Sequence, residues 1–261
     1  MKELEQKEIH RTPWPPDFPD VVIHTTVEER DAHPCYKAAK TGDCAAAYQL
    51  VKDTLSNSAV EQLRRQVGDK KPLVVPVGAI EQEGFNAIPN VMAREIAYRL
   101  NLEVEYSSIV QSNKVGHTRA RAAHRMVTPA IFEGQVRNGA DYVIIDDHVG
   151  LGGTIANLRG YIEDNGGHVI AVSTLTESRD GRKLALRLEI LEALEKKYGR
   201  ELDEFWSGSF GHAIATLTEA EGGNLLRQPS FDAIRTRLVK AADEARRRGF
   251  SAVEIGRNKT G

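Results

Sequence analysis

The chain has 261 residues, 41% of them apolar and 28% charged, with a formal net charge of −2. This is an ordinary soluble composition, long enough for one sizeable core with an accessory lobe, and it lacks the global positive charge of a nucleic-acid binder. Cys35 and Cys44 form no CxxC pair, which argues against a thiolate zinc site and for a reducing compartment. Met1 to Glu8 is too charged for a signal peptide and no apolar run approaches membrane-spanning length, so the expectation is a cytoplasmic protein without membrane contact.

Residues 1–30 are rich in proline and acids. Trp14-Pro15-Pro16-Asp17-Phe18-Pro19 cannot be helical, because consecutive prolines remove donors and fix φ; an extended arm anchored by Trp14 and Phe18 is expected. Residues 34–68 read as helices over Tyr36–Lys40, Ala45–Thr54 and Val60–Val67, forming a small lobe. The sheet is expected to begin at Pro72, with Leu73–Val77 as a short β-branched strand. Ile88, Met92, Ile96 and Leu100 recur at helical spacing, which predicts an amphipathic helix over 88–100. Glu103–Ser112 reads as a second strand and 113–130 as a long basic loop.

Tyr142–Ile145 is the third strand. Thr154–Asn165 is a helix with Ile155, Leu158 and Ile162 inward, stopped by Gly166-Gly167, and His168–Ser173 is the fourth strand. Strand and helix alternate from 72 to about 175, which predicts an α/β fold: a mostly parallel twisted sheet flanked by helices. The tail reads as helices over Arg182–Tyr198 and Phe231–Arg248, separated by the aromatic, glycine-rich segment Phe205–His212. The expected organisation is an arm and helical lobe over 1–70, an α/β core over 71–180, and a C-terminal helical extension over 181–261.

The chemistry concentrates in Val143-Ile144-Ile145-Asp146-Asp147-His148-Val149-Gly150-Leu151-Gly152-Gly153-Thr154. An apolar strand delivers two acids to its C-terminal end, where open α/β sheets bind ligands. The glycines let backbone amides close on an anion, and the following helix points its positive end at the same spot. Carboxylates for hydroxyls and amides for phosphate suit a phosphorylated sugar.

This segment resembles the phosphoribosyl pyrophosphate (PRPP) signature of type I phosphoribosyltransferases, in which an apolar strand and two acids precede Val-x-Thr-Thr-Gly-Gly-Thr. Asp146, Asp147, Gly152, Gly153 and Thr154 match; His148 replaces a small apolar residue, and Gly150-Leu151 replace two hydroxyl residues. The resemblance covers roughly residues 70–180 and implies a Rossmann-like core with a variable helical hood. It implies transfer of the phosphoribosyl group of PRPP to a nitrogenous acceptor, usually a nucleobase, with release of pyrophosphate. Asp146 and Asp147 would hold the ribose hydroxyls at the reaction centre and help to hold Mg²⁺ bound with PRPP. Gly150, Leu151, Gly152, Gly153 and Thr154 would cradle the 5′-phosphate.

Val77, Gly78 and Ala79 stand at the family's pyrophosphate loop, although Glu81 and Glu83 beside them would repel a diphosphate. The basic run from Lys114 to Arg125 matches the family's mobile lid, with Lys114, Arg119 and Arg121 as phosphate contacts and His117 or His124 as proton carrier. A homodimer is implied as well. His148 either touches the substrate or packs away from it, while Glu133, His168 and His212 have no motif around them. The alternative function is a non-catalytic regulator that senses PRPP or a nucleotide, with Arg119, Arg121 and Arg125, or Arg246-Arg247-Arg248, available to nucleic acid. A nucleotide hydrolase is disfavoured, because no GxxxxGK[ST] loop is present and no GxGxxG follows an early strand.

Overall fold

The computed structural model describes residues 8–78, 80–81, 84–106, 108–113, 115 and 122–255. In chain order the elements are β1 (Val22–Ile23), α1 (Val27–Ala32), α2 (Tyr36–Lys40), α3 (Cys44–Thr54), α4 (Asn57–Val67), β2 (Leu73–Pro76), β3 (Ile80–Glu81), β4 (Gly84–Phe85), α5 (Ile88–Leu100), β5 (Glu103–Val104), β6 (Ile109–Gln111) and α6 (Ala122–Val127). There follow β7 (Phe132–Gly134), β8 (Asp141–Val149), α7 (Gly153–Asp164), β9 (His168–Glu177), α8 (Leu188–Phe210), a 3-10 turn at Ile214–Thr216, α9 (Glu219–Leu226) and α10 (Phe231–Arg247).

Five strands form a parallel sheet in the order β1-β9-β8-β2-β5. β3-β4 and β6-β7 are short antiparallel ribbons beside it. Alternation along β8 serves both faces at once. Val143 and Ile145 join a core with Leu50, Leu63, Met92 and Ile96 from α3, α4 and α5. Tyr142 and Ile144 join a second core with Ile155, Leu158 and Ile162 of α7. A third core gathers Leu194, Leu202, Trp206, Leu225 and Leu238 from α8, α9 and α10 around Met126 and Val127 of α6. The fold is thus α/β, a mostly parallel sheet with helices on both faces.

Several boundaries differ from the sequence reading. The sheet starts at β1, fifty residues before Pro72, because Val22 pairs with Ser173 on the far edge of β9. A two-residue strand is too short to carry a period. Glu103–Ser112 is two strands: β5 joins the main sheet and β6 turns out to pair with β7. The expected loop over 113–130 contains α6, held because Met126 and Val127 are buried against the C-terminal helices. Arg182–Arg187 is not helical, and α8 instead runs to Phe210 across a kink at Gly199 (φ 64°). Trp206 and Phe210 therefore stack on a helix, ring centroids 4.2 Å apart, rather than in a loop.

The proline-rich arm lies where Trp14 and Phe18 can be buried. Their rings meet edge to face at 5.0 Å, and the Arg159 guanidinium lies 4.4 Å over Trp14. Arg159 also donates to the carbonyls of Thr12 and Pro13 (both 3.1 Å). The arm lies so close to α7 that a Cβ at Gly160 would stand 2.4 Å from the His10 carbonyl oxygen, so only glycine fits there.

Candidate functional site

β8 runs four residues beyond Ile145, since His148 and Val149 pair with Thr176 and Glu177 of β9. The acids thus sit within the strand, and the loop is reduced to Gly150–Gly152. Gly152 caps α7 with φ +81°, a left-handed conformation that glycine adopts without strain. A Cβ on it would also meet Leu184 at 2.6 Å and Thr218 at 3.1 Å. Thr218, which caps α9 through a capping box with Glu221, donates its hydroxyl to the Leu151 carbonyl. The C-terminal helices are thereby seated on the loop.

The amides of Leu151, Gly152, Gly153 and Thr154 donate to no acceptor among the described residues. These residues line a cavity together with Asp146, His148, Gly150, Arg125, Arg11 and Glu221; Arg11 Nη2 lies 3.4 Å from the Gly153 carbonyl. The Arg125 guanidinium lies against the loop, with Nη1 2.5 Å from where a Gly150 Cβ would stand. Four amides at a helix N-terminus with an arginine beside them are the donor set that anions bind in general.

Asp146 and Asp147 are 8% and 6% exposed. Asp146 lines the cavity, on the side of β8 that carries Tyr142 and Ile144. Burial, and next the neighbouring Asp147, push its carboxyl well above the usual carboxylate range. For Asp147 burial acts in the same direction, but Lys40, whose Nζ lies 2.7 Å from Oδ2, outweighs it and holds the carboxyl below its ordinary value. Lys40 ends α2, in the helical segment that precedes the first predicted strand.

His148 both lines the cavity and is tied down. Nδ1 lies 2.9 Å from Thr176 Oγ1, and Nε2 lies 3.0 Å from Ser178 Oγ. Thr176 accepts from Arg30 (2.7 Å) and donates to the Asp147 carbonyl (3.3 Å). One assignment satisfies every contact: Nδ1–H donates to Thr176, and the Ser178 hydroxyl donates to Nε2. Burial, opposed by Asp147, lowers the His148 pKa to about 4, so the ring is neutral at pH 7.

Val77 and Gly78 continue from β2 on the strand beside β8, with the Val77 amide bonded to the Ile145 carbonyl (2.8 Å); neither lines the cavity. Ala79, Lys114, His117, Arg119 and Arg121 lie outside the described residues. His124 is buried edge-on against Phe250 (5.8 Å) and does not line the cavity. His212 is held to about 4, first by burial and then by Arg11. Three cavity or acid-pair residues, Arg11, Lys40 and Glu221, were not singled out in the sequence, nor was Ser178, which holds His148. Only Thr218-x-x-Glu221 had a legible local signal, that of a helix start.

Among the described residues no group of three His, Cys, Asp or Glu side chains could hold a metal ion. With an ammonium already on Asp147, the acid pair does not fit a divalent cation gripped by both carboxylates. No helix among the described residues is long and apolar enough to cross a membrane.

No protein-family model matches the chain. Protein TraN of Escherichia coli is 45% identical over 235 residues, which is 90% of this chain and 52% of that protein. An uncharacterized protein of Haemophilus influenzae is 39% identical over 158 residues, 60% of this chain and 35% of its own length. The chain therefore spans about half or less of the curated relatives it matches. Among solved structures, adenine phosphoribosyltransferase from Saccharomyces cerevisiae is 16% identical, with 59% of this chain and 72% of that chain covered at a TM-score of 0.34. A hypoxanthine phosphoribosyltransferase from Staphylococcus aureus is 13% identical, with 58% and 70% covered at a TM-score of 0.36. At these scores the likeness carries no weight for function.

Proposed function

We propose that Gly150–Thr154 bind the 5-phosphate of PRPP, and that the protein transfers its phosphoribosyl group to a nitrogenous acceptor. The observation that carries this reading is one cavity holding four amides without acceptors among the described residues, the Arg125 guanidinium and the Asp146 carboxyl. A charge-assisted hydrogen bond contributes about 1.5–3 kcal/mol, so even two or three amides and one arginine anchor a phosphate firmly. Asp146, four residues before Gly150 and lining the same cavity, is the acid that accepts from ribose hydroxyls in this reading.

In the reaction the acceptor nitrogen attacks C1 of the ribose. The C1–O bond to the diphosphate breaks, its electron pair leaves with pyrophosphate, and the acceptor proton passes to solvent or to a basic side chain. Asp146, the acid that lines the cavity, favours positive charge developing on the ribose ring. In this reading Val77, Gly78 and Ala79, which follow β2 in the chain, receive the diphosphate, and Lys114, His117, Arg119 and Arg121 supply positive charge for its departure. No enzyme nucleophile is required.

A second reading, a PRPP sensor without turnover, is favoured by Leu151 in place of a hydroxyl and by the lysine held on Asp147. Pyrophosphate release from PRPP, screened against nucleobases and small nitrogen compounds, separates the two. Transfer predicts release that depends on one acceptor and disappears in Asp146→Asn. Bound PRPP with no release across the panel rejects transfer and leaves the sensor.

A further inference from the structure

We propose that Lys40 stands in for a divalent cation at the acid pair, so that the ribose-phosphate site fills without added metal. This rests on the ribose-phosphate reading above. Two adjacent buried carboxyls in one strand need a neutralising cation beside them, because each loses hydration and each repels the other. Here the chain supplies that cation. Lys40 Nζ lies 2.7 Å from Asp147 Oδ2, with the two side chains 18% and 9% exposed. Its charge reaches both acids, since it favours the ionised form of Asp146 as well as of Asp147.

The lysine is not a loose surface group that happens to swing inward. α2 is fixed by Ala39, which is fully buried and whose carbonyl accepts from the Ala87 amide (3.2 Å) at the start of α5. α5 in turn packs on β8. The acids are fixed too: the Asp147 amide donates to Asp146 Oδ1 (2.8 Å). Further positive charge surrounds the same point. Asp147 lies within electrostatic reach of Arg125, and the Arg30 guanidinium bonds the Thr176 hydroxyl that donates to the Asp147 carbonyl.

Mg²⁺ demands near-octahedral oxygen ligands at about 2.0–2.1 Å and gives up its waters reluctantly. A tethered ammonium beside Asp147, with two guanidiniums near it, blocks such a shell and repels the ion. An ammonium on a flexible stem needs no such shell and neutralises the pair with hydrogen bonds alone. The consequence is a division of labour: any metal a diphosphate brings is carried by the ligand, while the ribose end is neutralised by the protein.

The test is calorimetric titration of ribose 5-phosphate, which lacks the metal-binding diphosphate, into the full chain with EDTA or with Mg²⁺. Wild type, Lys40→Gln and Lys40→Arg are compared, with thermal melts to confirm folding. The wild type is expected to bind within twofold in the two buffers. Lys40→Gln is expected to bind at least tenfold more weakly in EDTA and to recover on adding Mg²⁺, a gain that simple structural damage does not produce. Lys40→Arg is expected to stay within about threefold of wild type in EDTA. Wild-type binding that requires Mg²⁺ overturns the proposal and leaves the ribose-phosphate reading standing. So does a Lys40→Gln variant that matches wild type in EDTA, or one whose loss Mg²⁺ does not restore. Absence of binding in both buffers overturns both.

Discussion

Replacing Arg11 by Met, or Glu221 by Gln, is expected to destabilise the fold by about 3–5 kcal/mol, the usual cost of stranding one partner of a buried ion pair. The two side chains are 6% and 4% exposed. All the guanidinium donors of Arg11 are committed. Nη1 reaches Glu221 Oε2 (2.8 Å) and the Thr216 carbonyl (3.3 Å). Nη2 reaches Glu221 Oε1 (2.9 Å) and the Gly153 carbonyl (3.4 Å), and Nε donates to Asn157. One side chain thus joins the arm, the first turn of α7 and the cap of α9. Glu221 also receives the Thr218 amide (3.0 Å), and Arg11 outweighs burial to hold its carboxyl below the ordinary range.

The pair lines the cavity, so the damage reaches the site. Without Arg11, Glu221 would face the positive end of α7 alone and compete with phosphate for it. Urea melts measure the first effect and ribose 5-phosphate titration the second. The double variant Arg11→Met/Glu221→Leu should recover much of the stability, because it removes both charges together. An Arg11→Met chain as stable as wild type would contradict the account of the arm.

The second large effect is expected at Gly152. Gly152→Ala forces a Cβ into the left-handed region, which costs about 1–2 kcal/mol in the backbone alone. The added methyl also stands 2.6 Å from the Leu184 side chain, itself 1% exposed, and 3.1 Å from Thr218. The loop must move off α9, breaking the bond from Thr218 to the Leu151 carbonyl. Because the amides proposed to bind phosphate lie on that loop, ribose 5-phosphate affinity should fall at least tenfold while the far sheet edge stays intact. Retained affinity would place the phosphate elsewhere.

Where the hydrophobic period is long, the sequence reading is close. The helix over 88–100 coincides with α5, and the glycine pair at 166–167 does end α7. The apolar run ending in Asp146-Asp147 identified the central strand, but not its true length, because the last residues owe their extension to pairing with β9 rather than to their own apolarity. β1 and α6 were missed for the same reason: two and six residues are too few to set a period, and each is held by partners more than a hundred residues away. At the site, the glycine loop and the cavity-facing acid were legible as a motif. Lys40, Arg11 and Glu221 were not, since a buried ion pair between distant segments leaves no local pattern. The place of His148 was not legible either, as its ring is fixed by Thr176 of β9 and by Ser178 just beyond it.

The most direct test is titration of PRPP into the wild-type chain and into Asp146→Asn, read by calorimetry. Saturable one-to-one binding that weakens at least tenfold in the variant is the predicted result, because Asp146 is the acid that lines the phosphate-loop cavity. A folded wild type that takes up no PRPP, or an Asp146→Asn chain that binds it unchanged, would contradict a phosphoribosyl site at Gly150–Thr154.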